Sequence, residues 1–316
     1  AFQVISDPVT GQSLIVGGPL VLQTGSLDLD GVVFADHEGF ALWASSQASL
    51  TARDVLFTRI EASPELSPAG YAVVLDTGTT ATFERCSIRD HAGVGIWVAG
   101  PETRVEVRDG YMGQMRRSEE GAPAHAVGVA DDGEAVLERV VFADSEGDTL
   151  FVIGEGSIAS LEQSRITRVA TPWPTSWGAY ATGAVIAQSQ GAILVRKTSI
   201  DDVIGVGLLA TSGGILKVEE TGVVGITSAT GQDGDGVQAY KSGSLSFERE
   251  LASVGAGEEV PLHVLFLPTL PGTEEEQAHQ LDPGSDQLNP GSDQLNLETE
   301  CGLVSIRGRD PGRVAH

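Results

Sequence analysis

Gly93-Val94-Gly95-Ile96-Trp97-Val98 decides how this chain is read. On an extended backbone Val94, Ile96 and Val98 fall on one side, and Gly95 and Trp97 on the other. A second segment, Ala135-Val136-Leu137-Glu138-Arg139-Val140-Val141-Phe142, ends on a large apolar residue. No window keeps an apolar stripe at helical spacing for three turns, so strands are expected throughout.

Outward from these segments the pattern recurs. A small residue leads a short apolar strand; a turn, a second strand and a final apolar position follow. Units lead at Gly39, Gly70, Gly93, His125, Gly147, Gly183, Gly205 and Gly236, after an earlier one at about 14–38. Their intervals are 31, 23, 32, 22, 36, 22 and 31 residues. Second strands carry Leu29, Phe83, Val107, Leu137, Leu161, Val195, Val218 and Phe247. Final positions read Phe34, Phe57, Ile88, Met112, Phe142, Ile166, Ile200 and Val223. Stacked coils would turn each series into a ladder at a spacing of ~4.8 Å.

Charge supports this register. One series reads Arg53, Glu84, Arg108, Glu138, and its neighbour reads Asp54, Arg85, Asp109, Arg139. In-register stacking sets unlike charges side by side in both.

The units resemble the right-handed parallel β-helix, or pectin-lyase-like, superfamily over about residues 14–257. The resemblance implies an all-β, right-handed parallel β-helix solenoid of about nine rungs. It also implies an extracellular or cell-surface bacterial protein. Function is not implied, because the superfamily holds lyases, hydrolases, epimerases, adhesins and phage spikes. Its polygalacturonase-like enzymes carry Gly-His-Gly and Arg-Ile-Lys segments; this chain has neither, and Arg165-Ile166-Thr167 is not a match.

Long and short rungs alternate, so the repeat is a pair. Trp43, Trp97 and Phe151 lie 54 residues apart, as do Asp36, Asp90 and Asp144. The extra residues of the long rungs, about 58–69, 113–124, 168–182 and 226–235, leave from one edge and are expected to form a loop wall.

Composition narrows the partners. The chain has 316 residues, with 40 glycines and 5% aromatics. Its 19 basic and 44 acidic residues give a net charge of −25, which disfavours nucleic acid and anionic membranes. No apolar run reaches the roughly 18 residues of a membrane span, so no membrane insertion is expected. Cys86 falls in a column of small apolar residues and Cys301 lies in a polar tail, so no disulfide framework is read.

Three candidate sites follow. Trp43, Trp97, Phe151 and Tyr240 are expected outward in one row, with Val74, Val129 and Leu209 between them and Trp173, Trp177 and Tyr180 on a neighbouring loop. Rings two rungs apart would be ~9–10 Å apart, near the length of a disaccharide. Such a row suits a polysaccharide or a surface protein. Asp36, Asp90, Asp144 and Asp202 read as corner residues, but Asp202, Asp233 and Asp235 together would suit calcium, the one candidate cofactor. Paired carboxylates near the loop wall would suit a polysaccharide hydrolase or lyase. His37, His91 and His125 read as turn residues. A binding protein is the first expectation, a carbohydrate-active enzyme the second, and a structural stalk the third.

After residue 257 the repeat stops. Residues 258–272 are expected to cap the solenoid. Residues 273–316, with Pro283–Asn289 repeated at Pro290–Asn296, read as a low-complexity, disordered tail.

Overall fold

The computed structural model describes residues 19–63, 70–117, 124–170, 183–227, 235–240 and 242–248, and the backbone of strands 2–6, 13–17, 263–268, 294–297 and 302–307. Regular structure among the described residues is all strand. The chain is a parallel solenoid whose strands wind about an axis through three sheets. Val32–Glu38 lies in the first sheet, Phe40–Ala44 in the second and Ser49–Arg53 in the third. Leu56–Glu61 then returns to the first, paired parallel with Val32–Glu38. Ser87–Ala99 serves two sheets, pairing through Ile88 in the first and Ile96 in the second.

The register read from the repeats holds in the first and third sheets. Phe34, Phe57, Ile88, Met112, Phe142, Ile166, Ile200 and Val223 are successive partners. Phe34 and Phe57 stack at 4.8 Å, and Phe57 meets Phe83 edge-on at 6.4 Å. These columns, with the inner positions of the second sheet, form one continuous apolar core.

The strands turn through left-handed backbone. Asp54, Arg85, Asp109 and Arg139 hold φ between 53° and 55° where the third sheet hands over to the first. Asp36, Arg59, Asp90, Gln114, Asp144, Arg168 and Asp202 hold φ between 51° and 59° within the first-sheet strands. Each such residue costs about 1–2 kcal/mol without compensation. Compensation here includes ion pairing between neighbouring turns. Arg85 grips Asp54 through two hydrogen bonds of 2.9 and 2.8 Å, and Arg139 grips Asp109 at 2.6 and 3.1 Å. The adjoining series adds Arg53–Glu84 at 3.4 Å and Arg108–Glu138 at 3.5 Å.

Both ends of the solenoid carry antiparallel strands. Phe2–Ser6 pairs with Ser13–Gly17. Gly302–Arg307 pairs with both Asp235–Tyr240 and His263–Pro268, and Gln294–Leu297 pairs with Ser244–Glu248.

Candidate functional site

The outer face of the second sheet gathers most of the described aromatic candidates. Its strands bury Leu42, Ala44, Ile96, Val98, Val127, Val129, Leu150 and Val152 inward. The opposite column runs Trp43, Val74, Trp97, Gly128, Phe151, Ile186, Leu209, Gln238. Three positions differ from the sequence reading, the first being Ile186, which that reading left out. Gly128 occupies the place expected for Val129, which is fully buried in the core. Gln238 ends the column, and Tyr240 pairs with Thr211, two residues further along the strand.

Each ring has a distinct setting. Trp43 is 37% exposed. Its Nε1–H donates to Asp76 Oδ2 at 2.8 Å, and Phe40 meets it edge-on at 5.7 Å. Trp97 is half-buried and meets Tyr71 edge-on at 6.5 Å. Its indole lies against the next strand, because a Cβ on Gly128 would be 2.4 Å from Trp97 Cε3. Phe151 stacks on His125 with centroids 4.7 Å apart. Nδ1 of His125 lies 3.1 Å from Asp148 Oδ2, and Asp148 Oδ1 accepts the Gly183 N–H at 3.3 Å. Beyond Phe151 the column is covered at two positions: Ile186 and Leu209 are 1% and 0% exposed, clustered with Val206 and Phe151.

Sequence reasoning missed Phe40, Tyr71, Asp76 and the His125–Asp148 pair. Phe40 and Tyr71 share a column with Val94, His125 and Asp148, three residues before the Trp43 column. The Phe40-x-x-Trp43 spacing was the available signal.

Other candidates are dispersed. Trp173, Trp177, Tyr180 and Asp233 lie outside the described residues, as do the side chains of Asp235 and Tyr240. Among the described residues no group of three or more His, Cys, Asp or Glu could hold a metal ion. Asp201, beside Asp202, accepts from Arg165 at 3.1 and 3.2 Å and from Thr167 Oγ1 at 2.5 Å. Burial works to raise its carboxyl, but these hydrogen bonds leave it below the usual range.

The corner aspartates do more than close turns. Asp36 is held by Arg59 at 2.6 and 2.9 Å, and Asp144 by Arg168 at 2.5 and 2.9 Å. Hydrogen bonding from these arginines pulls both carboxyls below their ordinary value. The histidines are interior groups and not turn residues. His37 and His91 share a buried column with Ile60 and Met115. Burial, then the Arg116 charge, pushes His91 down to about 4.

No protein-family model matches the chain, and a search of curated proteins finds no match.

Proposed function

We propose that this chain is a secreted or cell-surface binding protein that holds an extended glycan or a protein partner along the outer face of the second sheet. In this reading the fold is a right-handed parallel β-helix of about nine rungs, long and short in alternation, whose long-rung loops flank the binding face. One observation carries it: the edge-on pairs Phe40–Trp43 and Tyr71–Trp97 recur on the outer face of one sheet. The two tryptophans are separated by one intervening strand. Partly exposed rings in a row offer apolar faces to sugar C–H groups or to a partner's apolar side chains. The Asp76 carboxylate, hydrogen-bonded to Trp43 Nε1, fixes that indole and adds a polar acceptor at the edge of the row.

The enzyme reading draws less support. A general acid needs a raised carboxyl pKa, whereas Asp36, Asp54, Asp109 and Asp144 are held low by arginine hydrogen bonds. A glycan array comparing the native protein with the Trp43→Ala/Trp97→Ala double variant tests the proposal. Loss of a bound glycan class in the variant supports it, and an unchanged pattern overturns it.

A further inference from the structure

The third sheet carries a different feature on its outer face. Between its strands lies a depression of about 330 Å³, lined by Val136, Ile158, Ala192, Leu194, Ile215 and Lys217 among others. Ile158 is 46% exposed and Ile215 is 48% exposed. The same face is polar nearer the N-terminus, where the matching positions are Ser49, Thr51, Thr80 and Thr82. The apolar patch is therefore local and not a property of the sheet.

Carboxylates outnumber cations around the patch. Glu134 is paired with Arg104, Lys217 with Glu219, and Arg196 with Glu219. Asp131, Asp132, Glu155 and Glu162 make no ion pair among the described residues. Asp131, Asp132 and Glu155 stand in the turns that lead into the strands Glu134–Glu138 and Ile158–Glu162, and Glu162 ends the second of these strands. An apolar trough is thus edged by unpaired carboxylates on both sides.

We infer that this trough docks a cationic amphipathic helix of a partner protein, laid along the solenoid axis. Ile158 and Ile215 are two strands apart, which is ~9.6 Å. Residues i and i+7 of an α-helix are separated by about 10.5 Å, so apolar residues at i, i+3 or i+4, and i+7 match the trough. Lysines or arginines flanking that seam meet the carboxylates on either side. A second copy of this chain fits poorly, because each copy carries a net charge of −25.

The probe is a fluorescein-labelled three-heptad peptide with leucine at the a and d positions and lysine at e and g, followed by anisotropy with the full chain. Ile158→Asp/Ile215→Asp is expected to weaken binding at least tenfold. Asp131→Asn/Asp132→Asn is expected to weaken it threefold to tenfold, with both positions keeping a residue that tolerates their left-handed backbone. The control Asp28→Asn/Asp30→Asn removes equal charge at the far end of the same sheet and is expected to change binding less than twofold. Circular dichroism checks that each variant keeps its strand signal. Absence of binding to the native chain, equal loss in the control, or native affinity in both trough variants overturns the inference. So does a concentration-dependent dimer in sedimentation that Ile158→Asp/Ile215→Asp abolishes, since the occupant would then be a second copy.

Discussion

Arg59 and Asp36 both hold left-handed backbone, at φ 52° and 59°, and join neighbouring strands by two hydrogen bonds of 2.6 and 2.9 Å. Arginine is an unusual residue for that conformation. The pair is solvent-exposed and contributes only about 0–1 kcal/mol by itself. Its backbone angle, however, makes a β-branched substitute costly. Arg59→Val is expected to destabilise the protein by about 1–2 kcal/mol more than Arg59→Gly. Urea denaturation of the two variants measures the gap; equal losses would show that φ at this position is negative in solution.

His91 is buried with both ring nitrogens unpartnered among the described residues. Its folded-state value of about 4 lies below the unfolded value of 6.5, so the unfolded chain takes up a proton first as pH falls. Stability from this group is whole above about pH 6.5 and declines towards pH 4. The loss amounts to about 3 kcal/mol at most. His91→Met, matching Met115 in the adjoining strand, is expected to flatten the stability profile over that window. A profile as steep as that of the native chain would assign the acid sensitivity to another group.

Gly128 leaves the space that Trp97 fills. Gly128→Ala would set a methyl group 2.4 Å from the indole, so the ring must swing away from the sheet. The expected cost is about 1–3 kcal/mol, with stronger acrylamide quenching of tryptophan emission. Unchanged quenching would mean that the indole does not rest there.

Phe57 stands between Phe34 and Phe83 in the core. Phe57→Ala removes a fully buried ring and is expected to cost about 3–5 kcal/mol. Thermal or urea unfolding reads this directly. A loss below about 1 kcal/mol would mean that the phenylalanine column is not packed as described.

The first and third sheets were legible because their inward columns hold a large apolar residue on almost every turn, as Phe34 to Val223 illustrates, with Ala52 the exception in the third. Charge complementarity was legible for the same reason: Asp54, Arg85, Asp109 and Arg139 keep their spacing from that column. The second sheet was read less well. Gly147 sits at the sheet corner with φ 129°, and a Cβ there would be 2.4 Å from Ala124 O. Glycine also serves a separate column, where a Cβ on Gly207 would be 2.5 Å from Gly236 O. Corner and close-approach positions lie two residues apart, as Gly205 and Gly207 show, and composition does not distinguish them. Choosing His125, Gly183 and Gly236 as leading residues shifted those units by one, one and two positions. Gly128 and Gln238 were displaced from the aromatic column by that shift. The His125–Asp148 contact was hidden because it joins residues on adjacent turns whose alignment depended on the same choice.

The alternating acid–base ladder governs how such a chain can change length. Excising the single coil that carries Arg85 would bring Asp54 beside Asp109, and excising the one that carries Asp109 would bring Arg85 beside Arg139. Either event sets like charges together at the new junction, whereas losing two successive coils there keeps unlike charges adjacent. Within the stretch from Asp54 to Arg139, a change of two coils therefore preserves the alternation that a change of one coil breaks.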